Sequence, residues 1–249
     1  MNKTILITGA TSGIGKATAI HFAALGARLI LCGRRQERLN QLKEELPTEV
    51  HTLNFDVRDK ASVFKAIDSL PERFKNIDVL LNNAGNAHGL HDVIEANLDD
   101  WDAMIDGNVK GVMYVTKAIL PFMTERKSGH IINVGSIAGL EVYPKGNVYC
   151  ASKSALNAFT QGLRIDLNPL GIRVGAVHPG LVETEFSEVR FKGNVNRAKS
   201  VYSQLEALQA EDIANTIAFM VHAPKHVTIA DITVLPTDQA NATVLNKKK

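Results

Sequence analysis

Seven short apolar runs recur along this chain, and a stretch of helical length separates each from the next. The runs are TILIT (4–8), ARLILCG (27–33), EVHTLNFDV (49–57), IDVLLNNAG (77–85), GHIINVGS (129–136), IRVGAVHPG (172–180) and DITVLP (231–236). Several are apolar throughout rather than alternating, which marks strands covered on both faces, as in a parallel sheet. The stretches 14–25, 35–45, 59–70, 100–126, 149–167 and 211–223 read as the intervening helices. Regular βαβ alternation predicts an α/β fold with a doubly wound parallel sheet of about seven strands flanked by helices. No repeat, low-complexity tract or linker interrupts it, so residues 1–249 are expected to form one domain. One stretch breaks the rhythm. Residues 183–207, ETEFSEVRFKGNVNRAKSVYSQLEA, are polar and lie between a strand and a helix, as an inserted substrate lid would.

Charge and cysteine content exclude several function classes. The formal net charge of +2 predicts no strongly basic surface, so nucleic acid is not an expected partner. The two cysteines, Cys32 and Cys150, form no CxxC pair and are neither a disulfide scaffold nor a zinc motif. They suit a reducing cytosol, and a cytoplasmic location is expected. No run approaches the ~18 apolar residues of a transmembrane span, so no membrane is expected. The start lacks a long apolar h-region, so no signal peptide is expected. Lys247 to Lys249 read as a frayed, solvated tail.

The first βαβ unit carries a glycine-rich turn. Gly9, Gly13 and Gly15 stand between its strand and its helix. Such glycines allow a tight turn and close approach of backbone to a pyrophosphate, which the free N–H groups of the helix start attract. The spacing is GxxxGxG rather than GxGxxG. Three glycines also make an ordinary turn, but the strand before and the helix after favour dinucleotide binding. The second strand decides which dinucleotide. No carboxylate occupies 31–33 to hold a ribose 2′-hydroxyl, and Arg34 and Arg35 follow at once. Guanidinium groups suit a 2′-phosphate, so NADP is expected over NAD. The alternative is that both arginines are the solvated start of a helix.

Tyr149 and Lys153 lie four residues apart near the start of the 149–167 helix, on one face. On a helix otherwise fit for burial, each needs a partner.

These residues, with others in the same order, resemble the short-chain dehydrogenase/reductase family. The resemblance covers essentially the whole chain. It rests on TGATSGIG (8–15), NFDV (54–57), NNAG (82–85), Asn108 in DGNVKG, Ser136 in NVGSIAG, YCASK (149–153) and PGLVET (179–184). It implies a Rossmann-type fold and a catalytic tetrad of Asn108, Ser136, Tyr149 and Lys153. Reduction of a carbonyl by hydride leaves an alkoxide that needs a proton. A tyrosine can supply it, although its ordinary pKa of about 10 is high for the task. A nearby lysine ammonium is expected to lower that value. Ser136 is expected to hydrogen-bond the substrate oxygen, and Asn108 to anchor a water in a proton relay to Lys153. The resemblance implies cofactor contacts from Gly9, Ser12, Gly13, Ile14 and Gly15, and from Arg34 and Arg35. Asp56 and Val57 are expected to face the adenine, Asp56 through its amino group. Asn83, Ala84 and Gly85, with Tyr149 and Lys153, complete that side. Pro179, Gly180, Val182 and Thr184 are expected to wrap the nicotinamide carboxamide.

The segments 185–194 and 226–243 resemble NADP-dependent 3-hydroxy acid dehydrogenases, which act on serine, allo-threonine, 3-hydroxyisobutyrate or 3-hydroxypropionate and are typically homotetramers. LPTDQANAT stands where ketoacyl-thioester reductases carry a glycine-rich segment. Substrate binding is therefore expected from Ser136, Tyr149 and Arg190, whose fork suits a carboxylate. Arg190 pairing with Glu185 or Glu188 is the plain alternative, and Lys192 the backup cation. Two competing functions remain: the same machinery acting on another ketone or an acyl thioester, and an NADP(H)-sensing protein without turnover, which would be expected to lack Tyr149 or Lys153. His88 and His91 alone make no zinc set, and no metal is expected. His178 and Trp101 read as structural, and Cys150 as the least consequential residue of its helix.

Overall fold

The structure is a computed structural model that describes residues 1–247. Lys248 and Lys249, two residues of the expected tail, lie outside the described residues.

The elements follow in the order β1 (Thr4–Thr8), α1 (Gly13–Ala24), β2 (Arg28–Gly33), α2 (Gln36–Glu45), β3 (Val50–Asn54), α3 (Lys60–Asp68), α4 (Glu72–Lys75), β4 (Ile77–Asn82), α5 (Leu98–Ile105), α6 (Gly111–Arg126), β5 (Gly129–Val134), α7 (Asn147–Leu167), β6 (Ile172–Pro179), α8 (Phe186–Arg190), α9 (Val195–Ser200), α10 (Ala210–His222) and β7 (Asp231–Val234). The seven strands form one sheet in the order β3-β2-β1-β4-β5-β6-β7. Every neighbouring pair is parallel.

The uniformly apolar runs now have a physical reason. Along β1, Ile5 and Ile7 enter one core while Leu6 enters the other. In β2, Leu29 and Leu31 likewise face away from Ile30 and Cys32. Side chains alternate across a strand, so a sheet packed on both faces needs an apolar residue at every position. The first core joins the sheet to α1, α2 and α10 through Phe22, Leu39 and Ile217. The second joins it to α3, α6 and α7 through Ile67, Ile119 and Leu163. Only the edge strands β3 and β7 show partial exposure along much of their length.

Three differences from the sequence reading bear on the site. β3 and β4 end at Asn54 and Asn82, short of the expected 57 and 85. Residues 83–85 therefore leave the sheet as irregular chain at its carboxyl edge. The expected 100–126 helix contains a π-helical turn at Asp106–Lys110 between α5 and α6. Such a turn shifts side chains out of α-helical phase and is common at functional sites. The expected lid holds two short helices, α8 and α9. The four-residue α4, which begins after Pro71 and buries Phe74, has no counterpart in the expected elements.

Candidate active site

The strand order reverses between β1 and β4. Chains leaving the carboxyl ends of those strands diverge, and ligands of open α/β sheets bind in the resulting crevice. A cleft of about 450 Å³ opens there. All the residues expected to contact cofactor border it except Gly15, which lies behind the turn. Ser136, Tyr149, Lys153 and Arg190 border it too. Asn108 does not.

The glycine turn forms the cleft's first wall. Gly9 and Gly13 have φ of +65° and +48°, a region that favours glycine. A Cβ on Gly15 would stand 2.4 Å from the Gly9 carbonyl oxygen, so this position admits no side chain. Ser12 begins α1 without a side-chain cap, and the first turn holds no acid. The N–H groups of that turn are thus left for an anion on the cleft side. Thr8 stitches the turn to the end of β4. Its hydroxyl accepts from the N–H groups of Asn83 and Ala84, both at 3.0 Å. The Asn83 amide donates in turn to the carbonyls of Thr8 and Gly9, at 2.9 and 3.2 Å. Asn83 lines the cleft, and its side chain also fixes the glycine turn.

At the end of β2 the two arginines separate. Arg34 is largely exposed, with Asp56 3.7 Å away. Arg35 donates to the Thr11 hydroxyl at 3.1 and 2.9 Å and to Glu185 at 2.8 Å. Asp56 receives three hydrogen bonds from the Arg58 side chain, the shortest 2.6 Å. Burial raises the Asp56 carboxyl, but Arg58 and Arg34 outweigh it and hold it below its ordinary value. Asp56 nevertheless lines the cleft, and Arg58 fixes its orientation there. Thr11 stands within the TGATSGIG motif but was not singled out there, and Arg58 lies one residue past NFDV.

The far end of the cleft gathers the polar residues of α7. Tyr149 and Lys153 are 8% and 6% exposed, on the buried face of the helix with Cys150, Ser152 and Leu156. Lys153 donates from Nζ to the carbonyl of Val134 at 2.9 Å. Burial lowers its pKa from 10.5 to about 8. The backbone of Gly139 packs on α7, where a Cβ would stand 2.7 Å from the Lys153 carbonyl oxygen. That contact brings Ser136, which caps the short helical turn Ile137–Gly139, against the same helix. Burial, and after it the Tyr143 hydroxyl, holds the Tyr149 phenol above its ordinary value; a hydrogen bond with Ser136 and the charge of Arg190 offset only part of that rise. The sequence reading assigned such an offset to Lys153. In the structure Arg190 adds a second cation beside the phenol, while the Lys153 ammonium donates to the Val134 carbonyl.

The π turn aims Asn108 into the interior, fully buried. Its Oδ1 accepts from the Asn86 N–H at 2.8 Å, and its Nδ2 donates to the Asn86 carbonyl at 2.8 Å and to the Ser152 hydroxyl at 3.0 Å. A Cβ on Gly85 would lie 3.0 Å from Asn108 Oδ1 and 3.5 Å from Lys153 Nζ. The Asn108 amide thus clamps the chain that follows β4 beside Lys153, a role that the relay expectation did not include. Ser152, its partner on α7, was not singled out in the sequence.

Arg190 closes the site from the lid. It donates from Nε to the Gly89 carbonyl at 3.1 Å and from a terminal nitrogen to the Tyr143 hydroxyl at 3.0 Å. Its guanidinium carbon lies 5.5 and 5.6 Å from the ring centres of Tyr143 and Tyr149. Neither Glu185 nor Glu188 pairs with it; Glu185 binds Arg35 and Arg38. Lys192, the backup cation, pairs with Asp100 at 3.0 Å. From the chain's end, the buried Gln239 accepts the Leu181 N–H at 2.8 Å and so fixes the Pro179–Thr184 segment. His178 is buried and lies 3.0 Å from Asp231. Trp101 packs beside Tyr149 and Met104 in a small third core. Among the described residues, no three His, Cys, Asp or Glu side chains converge to hold a metal ion. No helix among them is long and apolar enough to cross a membrane.

A switch-point cleft with a glycine-rich first turn and a buried Tyr-x-x-x-Lys pair at its far end defines a dinucleotide-linked dehydrogenase class. The chain belongs to the short chain dehydrogenase family, whose sequence model matches residues 3–195. It is 44% identical over 239 residues to the NADP-dependent 3-hydroxy acid dehydrogenase YdfG of Escherichia coli (strain K12), covering 96% of each chain. It is 47% identical to the NADP-dependent 3-hydroxy acid dehydrogenase of Schizosaccharomyces pombe, over 99% of this chain and 97% of that one. Among solved structures, the closed form of serine dehydrogenase complexed with NADP+ superposes with a TM-score of 0.93 at 42% identity, over 99% of this chain and 100% of that one.

Proposed function

We propose that the chain is an NADP-dependent dehydrogenase of small 3-hydroxy acids such as serine, allo-threonine, 3-hydroxyisobutyrate or 3-hydroxypropionate. The observation that carries this reading is the position of Arg190: a guanidinium inside the cleft, 5.6 Å from the Tyr149 ring and fixed to Gly89 and Tyr143. A cation held beside the reacting alcohol favours a substrate that carries an acid group, which in a 3-hydroxy acid is separated from the carbinol by one carbon.

NADP, when bound, supplies the hydride acceptor or donor. The start of α1, at Ser12, Gly13 and Ile14, would hold its pyrophosphate, because those N–H groups carry no side-chain cap. Arg34 and Arg35 would meet the 2′-phosphate, and Pro179 to Thr184 the carboxamide end. Tyr149 takes the proton of the substrate hydroxyl in oxidation and returns it in reduction. Ser136 holds the same substrate oxygen against the phenol. Lys153 adds positive charge beneath the site, and Asn108 keeps the neighbouring chain at Asn86 in place. Such acid–base assistance contributes about 100- to 10,000-fold.

Exposed apolar side chains on α7 and α10, Ile165 at 74% and Phe219 at 64%, support association of copies, and we infer a homotetramer. The two buried, unpaired cysteines support a cytoplasmic location.

The test mixes pure protein with NADP+ and a panel of serine, allo-threonine and 3-hydroxyisobutyrate, and follows the absorbance of reduced cofactor. Reduction of NADP+ by at least one acid is expected. A requirement for NAD+ would overturn the cofactor assignment. Activity confined to alcohols without an acid group would turn the reading to another carbonyl substrate.

A further inference from the structure

The lid helix α8 borders the cleft along most of its length and is tied at both ends. Its last residue, Arg190, bonds through its side chain to Gly89 and Tyr143, and its carbonyl accepts the Gly89 N–H at 2.9 Å. Glu185, just before its first residue, bonds to Arg35 at 2.8 Å and Arg38 at 2.7 Å, 150 and 147 residues away in sequence. The two carboxylate oxygens are shared out, one to each arginine. Arg35 is itself held by the Thr11 hydroxyl of the glycine-rich turn. The chain of contacts Thr11–Arg35–Glu185 therefore joins the cofactor wall to the helix that carries Arg190. The bonds from Ser187 to Tyr202 and from Tyr202 to Val182 stay within the lid and its root.

We propose that Glu185 is a positioning residue: its ion pairs with Arg35 and Arg38 seat α8 from the cofactor side, so that Arg190 stands over Tyr149. Of the two arginines expected at the 2′-phosphate, Arg35 is bonded to Glu185 and Arg34 is not, so Arg35 ties that subsite to the lid. This inference rests on the reading of Arg190 as the carboxylate contact. Exposed pairs of this kind are individually weak and screened by salt, as suits a latch that must open for substrate exchange.

The test uses the full chain and the variants Glu185→Gln, Arg38→Ala and their double. Trypsin can cut the lid at Arg190, Lys192, Arg197 and Lys199. Lid cleavage is expected to quicken about threefold to tenfold in either single variant. KM for a 3-hydroxy acid should rise by a similar factor, with kcat changed less than about twofold and NADP+ affinity of Arg38→Ala unchanged. The double variant should match Glu185→Gln, which already loses both ion pairs, while Arg38→Ala keeps the pair with Arg35 and should show the smaller effect. Wild-type cleavage rates in both single variants, or full additivity in the double, would overturn the latch. If Arg190→Ala leaves KM unaltered while Glu185→Gln still opens the lid, the carboxylate assignment falls and the latch stands.

Discussion

The guanidinium of Arg190 lies 5.6 Å from the ring centre of Tyr149, although the two residues stand on different elements 41 positions apart. One side chain thereby faces both the acid–base group and the space a substrate acid would fill. Truncation should therefore act twice. Arg190→Ala is expected to raise KM for a 3-hydroxy acid about tenfold to a hundredfold, the range of a charge-assisted hydrogen bond. It should also move the pH profile of oxidation to higher pH, because a cation that favours the phenolate is gone. Arg190→Lys should restore part of the pH shift and less of KM, since a lysine carries the charge without the fork. Steady-state kinetics from pH 7 to 10 check both.

Cofactor choice should depend on Arg34. Arg34→Ala is expected to weaken NADP+ binding about tenfold to a hundredfold and leave NAD+ binding unchanged, because of the two dinucleotides only NADP+ carries the 2′-phosphate this guanidinium would meet. Titration by calorimetry with both dinucleotides measures this. Equal weakening of both would show that Arg34 acts on the fold rather than on the phosphate.

His130 makes a prediction about stability. It sits 1% exposed in β5 with neither ring nitrogen hydrogen-bonded. Burial, with the nearby charges of Arg173 and Lys3, lowers its pKa from 6.5 to about 3. The folded state thus disfavours the proton that the unfolded chain accepts, and stability falls as pH drops below about 6.5. Between pH 7.5 and pH 5 the loss from this one group is about 2 kcal/mol. In His130→Leu that part of the acid-side loss should vanish. Urea melts at the two pH values compare the difference in the two proteins; an unchanged difference would contradict the assignment.

The sheet was legible because burial on both faces demands apolar residues at consecutive positions, and seven such runs stand in the chain. The glycine turn and the Tyr149–Lys153 pair were legible because each lies within a few residues of sequence. What escaped notice is long-range. Thr8, Thr11 and Ser152 gain their roles from partners brought to them by the fold. The grip of Arg35 and Arg38 on Glu185 spans most of the chain. The π turn that buries Asn108 changes hydrogen-bond register rather than apolar pattern, so periodicity shows one uninterrupted helix there. The end of β4 at Asn82 was overrun for a similar reason: the polar NNAG segment continues the strand in composition but leaves the ladder to hold the glycine turn and Asn108.

The central claim is that Tyr149 moves the substrate proton and that the fold and the cofactor cleft do not need its hydroxyl. Turnover of a 3-hydroxy acid and NADP+ affinity, measured on one preparation of Tyr149→Phe, test it most directly. The expected result is a fall in kcat of at least about a hundredfold, with NADP+ affinity within about twofold of wild type. Turnover retained in the phenylalanine variant would contradict the assignment, and so would loss of NADP+ binding together with activity.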